Sequence, residues 1–179
     1  MRIISGVYKG KNIIPPKTFN ARPTTDFAKE SLFNIISNNF NYPDINVLDL
    51  FSGSGNISYE FASRGCENIT SVELDYNNFK FIIETKNKFN LTQIIVLKTD
   101  VFKILNTIKK KFDIIFADPP YKHTDIDKLP DLVFKNKLLN NNGWFILEHS
   151  KYYNFSKYQY FSDKRKYGNV NFSIFSNFG

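Results

Sequence analysis

Cysteine is nearly absent from this sequence: Cys66 is the one cysteine among 179 residues. A single cysteine can form neither an internal disulfide nor a cysteine-based zinc site. Long apolar runs are lacking too, since none approaches the roughly 20 residues that span a bilayer. The N-terminus carries glycine and lysine where a secretory signal has its apolar segment. We therefore expect a soluble cytoplasmic protein whose fold needs no metal.

Acidic residues are scarce at both ends of the chain. The net charge is +7, of which +5 lies in residues 1–25 and +4 in residues 149–179, which leaves −2 for the middle. A general drift toward lysine would spread the charge evenly. Basic ends around a mildly acidic middle favour a rim that binds a polyanion, around a core that acts on something else. The alternative is two solvated, flexible ends.

The first 40 residues predict a short hairpin followed by a helix. Residues 1–14 alternate apolar and polar side chains around a turn at 8–11, which is typical of a β-hairpin. Two prolines at positions 15 and 16 then end any strand. Thr24 or Thr25 is a good helix N-cap, and apolar residues at helical spacing, Phe27 among them, continue to about residue 38.

From residue 46 onward, short apolar runs alternate with amphipathic segments. The runs predict strands at 46–51, 69–74, 93–97, 112–117 and 143–148, and the segments predict helices at 56–64, 76–89, 101–108 and 126–137. Two antiparallel edge strands are expected at 157–163 and 170–175. Continuous apolar strands that alternate with helices indicate a parallel sheet covered on both faces. The predicted class is therefore a doubly wound α/β fold.

The loop after the first predicted strand contains two glycines close to a carboxylate. Ligands of such folds bind outside the carboxyl ends of the strands. Gly53 and Gly55 let the backbone approach a ligand closely, and Asp49 lies in the strand that leads to them. A dinucleotide-binding fingerprint would have a third glycine where Ser58 stands. Its absence favours a ligand without a pyrophosphate.

Acidic residues also end the second and third predicted strands. Glu73 follows Gly55 by 18 residues, at the place where a carboxylate accepts hydrogen bonds from both hydroxyls of an adenosine ribose. Asp75 follows directly behind it. Asp100 ends the third strand and is placed to accept a hydrogen bond from an adenine amino group. These positions predict an adenosine-type ligand.

The second loop at a strand end reads Asp118-Pro119-Pro120-Tyr121. The prolines fix φ and remove two amide donors, so that backbone carbonyls are left as acceptors. A carboxylate, a rigid carbonyl and an aromatic face together suit a planar group with an exocyclic amine. Asp118 and the Pro119 carbonyl would accept its N–H groups, while Tyr121 would stack on the ring. The expected chemistry is bond formation at that amine, which needs accurate placement more than acid–base catalysis.

Three motifs together resemble a known enzyme class. NVLDLFSGSG, SVELD and FADPPY are similar to the motifs of class I S-adenosylmethionine-dependent methyltransferases that methylate amines. The stretch RIISGVYKGKNI…ARPTTDFAKESLFNII resembles the bacterial RsmD family, which methylates the N2 amine of a specific guanine in 16S ribosomal RNA. The R-P-T-T-D segment is the diagnostic piece, and the likeness continues to ILEHS and KYGNVNFSIF near the C-terminus. The histidine after Glu148 and the lysine-rich tail depart from the family pattern.

The resemblance implies a single methyltransferase domain over residues 1–179, with a hairpin and basic RNA-binding extension at 1–24 and a catalytic core at 25–179. Its fold would be Rossmann-like, with a seven-stranded, mostly parallel sheet. Its cofactor would be S-adenosyl-L-methionine, and its partner 16S ribosomal RNA or the assembling small ribosomal subunit, with no metal, no membrane and a monomeric state.

The residues implied for each role fall into three groups. Those for the cofactor are Asp49, Phe51, Gly53, Gly55, Glu73 and Asp100. Those for catalysis are Asp118, Pro119, Pro120 and Tyr121. Those for RNA binding are Arg2, Lys9, Lys11, Arg22 and Thr24.

Four other functions share part of this pattern. A DNA amino methyltransferase would need a target-recognition domain, for which no stretch of the chain is left over. A protein-glutamine methyltransferase has Asn where Asp118 stands. A non-catalytic RNA-binding factor could keep the fold, although intact Asp49, Glu73 and Asp118 argue against it. An NAD enzyme is disfavoured by Ser58. Cofactor binding would discriminate between the enzyme and the non-catalytic factor.

Overall fold

The polypeptide is wound around a seven-stranded sheet. The computed structural model describes residues 1–16, 25–120 and 123–176. The strands are β1 (Asn46–Leu50), β2 (Asn68–Glu73), β3 (Ile94–Lys98), β4 (Phe112–Ala117), β5 (Leu139–His149), β6 (Phe161–Tyr167) and β7 (Val170–Ser176). The helices are α1 (Asp26–Ser37), α2 (Asn56–Ser63), α3 (Tyr76–Lys88), α4 (Val101–Thr107) and α5 (Lys128–Lys135), and a short 3-10 turn covers Tyr42–Asp44. This alternation confirms the predicted α/β class.

The strand order across the sheet is β3-β2-β1-β4-β5-β7-β6. Strands β1 to β5 are parallel, whereas β7 is antiparallel to both β5 and β6. The chain first moves outward from β1 through β2 to β3 and then crosses to β4 on the other side of β1. The carboxyl ends of β1 and β4 therefore lie side by side where the winding reverses. Ligands of open α/β sheets bind at such a point.

Separate apolar layers cover the two faces of the sheet. One layer joins the N-terminal segment to α1 and α2, and Ile3, Leu32 and Phe61 are buried in it. The other lies under α4 and α5, where Leu105 and Val133 are buried. Because the central strands are buried on both faces, they appear in the sequence as continuous apolar runs. None of the helices in the described ranges is long and apolar enough to cross a membrane.

Residues 1–13 form a hairpin-like arm that packs on α2. An isolated antiparallel bridge joins Arg2 and Asn12, so the two halves pair as predicted but without regular strands. The turn spans residues 5–10 rather than 8–11. Gly6 has a φ of 82°, and a Cβ there would lie 1.8 Å from the Ser63 carbonyl oxygen. The Val7 amide donates to that same oxygen at 2.8 Å, so the close approach requires glycine.

The C-terminal strands differ from their prediction in two ways. Strand β6 begins at Phe161 rather than at residue 157, because turns occupy residues 156–160. Strand β7 is not an edge strand, since β5 and β6 pair with it on either side and every one of its residues is buried. The edge strand on this side of the sheet is β6. Strand β5 is also longer than predicted, because an irregular register lets Leu139 pair with Phe112.

Helix α1 begins as predicted, but its buried face does not include Phe27. Thr25 is its N-cap, and its side chain accepts a hydrogen bond from the Ala28 amide. Phe27 was counted with the apolar face, yet 67% of it is exposed. The buried side chains are those of Ala28, Lys29, Leu32, Phe33 and Ile36. A lysine therefore occupies a core position that the apolar spacing had not indicated.

Candidate active site

A cavity of about 960 Å³ opens at the carboxyl ends of the parallel strands. The loops after β1, β2 and β4 line it, together with the start of α4 and the end of β5. Of the predicted site residues, the structure brings the following to this cavity: Asp49, Phe51, Gly53, Glu73, Asp100, Asp118, Pro119 and Pro120. Gly55 lies in the same loop at the N-cap of α2. The cofactor and catalytic predictions therefore converge on one place.

The glycine loop between β1 and α2 has three residues in the left-handed backbone region, Phe51, Gly53 and Gly55. Gly55 has a φ of 80°, and a Cβ there would come within 2.6 Å of the Tyr59 ring. Phe51 has a φ of 56° although it is not glycine. Such a conformation costs a side-chain-bearing residue of order 1 kcal/mol and is concentrated at functional sites. The loop is held to β2, because the Ser52 amide donates to the Val72 carbonyl at 3.0 Å.

Asp49 is buried in the wall of the cavity. Only 1% of it is exposed, and its Oδ2 accepts a hydrogen bond from the Ser58 hydroxyl at 2.6 Å. The pKa of Asp49 is raised to about 7, mainly by burial and in smaller part by the nearby Glu73, while the hydrogen bonds from Ser58 and Ser52 oppose the shift. Ser58 thus has a defined role in this site in place of a third glycine: it orients the carboxyl group of Asp49.

Glu73 holds the glycine loop against the end of β2. Its Oε2 accepts a hydrogen bond from the Gly53 amide at 2.7 Å, and its Oε1 accepts one from the Asp75 amide at 2.8 Å. Each oxygen keeps a further lone pair for a ligand hydroxyl. Burial raises the pKa of Glu73, and the backbone hydrogen bonds oppose that shift. Asp75, the next candidate, accepts hydrogen bonds from the Asn77 and Asn78 amides as the N-cap of α3.

Asp100, like Glu73, both lines the cavity and accepts a hydrogen bond from a backbone amide. It lines the cavity and is also the N-cap of α4, where its Oδ1 accepts a hydrogen bond from the Lys103 amide at 2.9 Å. A carboxylate at a helix N-terminus is stabilised by the helix dipole. The predicted contact with an adenine amine stays a prediction, and it would use the remaining acceptor capacity of this group.

Asp118 follows β4 directly and lines the cavity. Asp118 is half-buried, and desolvation of its carboxyl group raises its pKa well above the ordinary value. The neighbouring carboxylates of Glu148 and Asp49 add to the shift. Glu148 lies at the end of β5 and is 3% exposed. Sequence reasoning had not included Glu148 in the site, although its place at a strand end was a usable signal.

The loop after Asp118 is stiffened beyond its two prolines. The His123 amide donates to the Pro120 carbonyl at 2.8 Å, so that carbonyl is already engaged. The His123 ring stacks on Phe102, with 5.2 Å between ring centroids, and meets the edge of Phe51 at 5.8 Å. His123 is therefore fixed at the cavity by aromatic contacts, whereas its place in a loop had suggested a solvated side chain. Tyr121 lies outside the described residues.

A second charged cluster lies beneath the N-terminal arm. Lys29 is fully buried, and its Nζ lies 3.4 Å from Glu60 and donates to the Asn56 side chain at 2.8 Å. Glu60 is also fully buried and pairs with Arg64 at 3.0 Å, and it accepts hydrogen bonds from the Ile4 and Ser5 amides. Burial lowers the pKa of Lys29, while Glu60 opposes that shift. This ion cluster joins the arm to α1 and α2.

The residues predicted to bind RNA fall partly outside the described ranges. Arg22 and Thr24 belong to residues 17–24, of which no structure is described. Arg2 forms an exposed ion pair with Asp26 at 3.2 Å. Lys9 and Lys11 are exposed on the N-terminal arm. Their contact with RNA remains a prediction.

The carboxyl groups of the cavity fit S-adenosylmethionine. This molecule carries a positively charged sulfur and an ammonium group, and Asp49, Asp118 and Glu148 give the cavity wall a negative charge to face them. The free lone pairs of Glu73 suit ribose hydroxyls. Within the described residues, no group of three or more His, Cys, Asp or Glu side chains could hold a metal ion.

The sheet order and this acidic cavity at its switch point define a class I S-adenosylmethionine-dependent methyltransferase. A solved structure of a hypothetical protein from Thermus thermophilus has the same fold, with a TM-score of 0.87, 25% identity and 99% coverage of both chains. A methyltransferase structure solved with SAH, S-adenosylhomocysteine, shares the fold at 18% identity and a TM-score of 0.67, covering 82% of this chain and 48% of that one.

The sequence comparisons point to one family. The family described as Conserved hypothetical protein 95 matches residues 1–176. The Ribosomal RNA small subunit methyltransferase D of Buchnera aphidicola subsp. Baizongia pistaciae is 36% identical over 148 residues, which are 83% of this chain and 75% of that protein. Its namesake from Haemophilus influenzae is 30% identical over 84% of this chain and 79% of its own length. The chain belongs to the RsmD family of methyltransferases.

Proposed function

We propose that this protein transfers a methyl group from S-adenosylmethionine to the exocyclic N2 amine of a specific guanine in small-subunit ribosomal RNA. The relatives named Ribosomal RNA small subunit methyltransferase D support the RNA and the subunit. The basic ends of the chain support a polyanionic substrate.

One observation carries the choice of an amine as the target: the position of Asp118. Its carboxyl lies on a wall shared with Asp49 and Glu148 and is followed at once by two prolines. A rigid acceptor beside the cofactor cavity suits a planar group that donates N–H bonds. Guanine N2 is such a group, and it is a weak nucleophile because its lone pair is delocalised into the ring.

The residues of this chain then have separate roles in the transfer. When bound, S-adenosylmethionine supplies a methyl group on a positively charged sulfur, which is the electrophile. Asp118 accepts a hydrogen bond from the amine and stabilises the positive charge that nitrogen gains as the N–C bond forms and the C–S bond breaks. Because the pKa of Asp118 is raised, its carboxylate is also a better acceptor for the proton that the nitrogen then loses.

The loop after β4 positions the target guanine in this proposal. Pro119 is buried at the cavity, and the Phe51, Phe102 and His123 rings support the loop from the side. A second hydrogen bond from the amine to the Pro119 carbonyl and stacking of the guanine on Tyr121 complete the proposal. Holding both partners in contact supplies a large part of the rate enhancement of such a reaction.

The decisive experiment maps N2-methylguanine in small-subunit ribosomal RNA from cells with and without the gene. We expect one site to lose its methyl group in the deletion strain, to regain it with the wild-type gene, and to stay unmodified with Asp118→Ala. An unchanged methylation pattern in the deletion strain would contradict the ribosomal target. A methyl group lost from a different base amine would contradict guanine N2 and keep the amine chemistry.

The N-terminal charges provide a further prediction on RNA binding. Phosphate contacts release counterions, so that the affinity for a single strand falls with salt by a slope of about −0.7 per contact. Neutralising Arg2, Lys9, Lys11 and Arg22 together should flatten the slope of RNA affinity against salt and weaken binding. Cofactor affinity serves as the control. Equal slopes for the two proteins would mean that these charges are solvated and contact no RNA.

A further inference from the structure

We propose that the RNA strand beside the target base is bound by an aromatic rim formed by Phe27, Tyr152 and Tyr167 with the adjacent lysines Lys151 and Lys166. This inference rests on the proposed function, because it assigns a surface to the same RNA substrate. The three aromatic residues were not among the predicted RNA-binding residues, whereas the two lysines belong to the basic C-terminal end for which polyanion binding was expected.

The topology of the sheet brings the rim to the edge that bears the cavity. In the register of β5 and β7, His149 lies opposite Asn171, and Asn171 in turn lies opposite Lys166 of β6. The turn between β6 and β7, which follows Tyr167, therefore projects at the carboxyl end of β5. Glu148, the neighbour of His149, lines the cavity. Tyr152 follows the end of β5 by three residues and projects from the same edge.

Helix α1 contributes Phe27 to this edge. The rings of Phe27 and Tyr167 meet edge to face with 5.8 Å between their centroids. Tyr167 is half-buried and packs in turn on Phe172, which fixes it to the core. Phe27 has no comparable burial, since 67% of it is exposed. Tyr167 is thus held against the core, whereas the Phe27 ring that contacts it is exposed to solvent.

The distribution of exposed rings singles out this edge. Single exposed apolar side chains are ordinary on protein surfaces. Among the described phenylalanines and tyrosines, however, those classed as exposed are Phe27, Tyr76 and Tyr152, and Tyr76 itself lines the cavity. Aromatic side chains are abundant throughout the chain. Their exposure is therefore confined to the edge at which substrate must enter.

The lysines beside the aromatic rings favour RNA as the partner of this rim. The Lys151 ammonium lies 5.4 Å from the centre of the Tyr152 ring, and Lys166 is exposed next to Tyr167. Lys166 has no ion-pair partner among the residues that the structure describes. Aromatic rings that stack on bases, interleaved with cations that contact phosphates, are the usual means of binding single-stranded nucleic acid. A base that is turned out of its helix leaves neighbouring bases unstacked and available to such rings.

The test measures binding of small ribosomal subunits, and of RNA extracted from them, both from cells that lack this gene. Phe27→Ala and Tyr152→Ala should each weaken binding of both probes by about 10-fold, the effect of losing one stacked base. Phe27→Tyr should bind like wild type, and Lys166→Glu should weaken binding more at low salt than at high salt. Ile95→Ala on β3 and Lys109→Glu before β4 are the matched controls, because both are exposed and lie away from the cavity edge. Cofactor affinity should be unchanged in every variant.

Three results would overturn the inference. The first is binding of both alanine variants as tight as that of wild type, which leaves the proposed function intact. The second is weaker binding to the subunit with unchanged binding to extracted RNA, since the rim would then contact a ribosomal protein. The third is a wild-type protein that methylates neither probe, which overturns the proposed function itself. Phe27 and Tyr152 are both exposed and lie on different elements, so a folding defect in one variant still leaves the other to decide.

Discussion

In the part of the chain that the structure describes, two clusters of charged side chains are removed from solvent, and their charges are arranged in opposite ways. In the ion cluster beneath the N-terminal arm, Lys29 and Arg64 meet Glu60, and backbone amides complete the hydrogen bonding of the glutamate. At the cavity, Asp49 and Asp118 are both lining residues, and burial raises the pKa of each. Neighbouring carboxylates add to both shifts, that of Glu73 for Asp49 and those of Glu148 and Asp49 for Asp118. The first set holds charges of opposite sign together, and the second gathers charges of one sign.

This difference separates a structural role from a binding role. A buried ion pair with complete hydrogen bonding holds its elements in one arrangement, and loss of one partner is costly. Like charges at a cavity destabilise the ligand-free protein and are relieved when a cation binds. The buried charges that oppose folding are therefore the ones that indicate function, in agreement with the clustering of perturbed pKa values at functional sites.

Removing one partner of the ion cluster should produce the largest effect. We expect Lys29→Met to lower the free energy of unfolding by about 3–5 kcal/mol, because it leaves the buried carboxylate of Glu60 without its lysine partner. Urea denaturation measures this change. Lys80→Met is the control, since Lys80 pairs with Glu84 at 3.8 Å on the surface and should contribute less than about 0.5 kcal/mol. Equal losses in the two variants would contradict the structural role.

Replacing Asp118 should affect the reaction rather than the fold. We expect Asp118→Ala to lower the single-turnover rate of methylation by about 100-fold, the scale of losing one preorganised electrostatic contact. The ligand-free protein should keep or gain stability, because a buried carboxyl group is removed from among like charges. Asp131→Ala on the exposed face of α5 is the matched control. A near wild-type rate in Asp118→Ala would contradict the assignment of the loop.

Replacing Glu73 should affect cofactor affinity. The change removes the acceptor for the Gly53 amide and the proposed acceptors for the ribose, each worth about 1.5–3 kcal/mol when charged. We therefore expect Glu73→Ala to weaken S-adenosylmethionine binding by at least about 10-fold in calorimetry. Glu84→Ala, exposed on α3, should bind normally. Unchanged affinity in Glu73→Ala would remove Glu73 from the cofactor site.

The smallest effect concerns pH. The pKa of Asp49 is about 7 in the folded protein and ordinary in the unfolded chain, so the protonated carboxyl group favours the folded state. This contribution to the free energy of unfolding is complete below about pH 4 and is lost as the pH rises through 7. A cationic cofactor favours the ionised form, so affinity should increase by up to about 10-fold between pH 6 and pH 8. Asp49→Asn should flatten that part of the increase. A pH dependence identical in both proteins would exclude Asp49 as its source.

The site was largely predictable because its signals are local. Strand ends can be read from apolar runs, and the acids and prolines that follow them, such as Asp49, Glu73 and Asp118, then fall at one edge of a parallel sheet. Family motifs added the methyl donor, and the target amine that they indicate stays a prediction. The sequence did not indicate the hydrogen bonds that hold these acids in place, such as the one that the Ser58 hydroxyl donates to Asp49.

The ion cluster could not be predicted for a physical reason. Lysine, glutamate and arginine are almost never fully buried unless they are paired, so that each is read as a surface residue when taken alone. Lys29 and Glu60 are 31 positions apart in sequence, and their pairing depends on how α1 packs against α2. Phe27 was misplaced by the opposite error, because an apolar residue at helical spacing was assigned to the buried face.

The insertion of β7 between β5 and β6 also affects how the chain is made. During synthesis, strands β1 to β5 leave the ribosome before the residues of β7 exist. Until β7 arrives, the outer edge of β5 presents unpaired amide and carbonyl groups beside the apolar side chains of Phe145 and Leu147. Exposed apolar edges of this kind pair readily with other chains. The nascent protein is therefore most open to aggregation in the interval between its fifth and seventh strands.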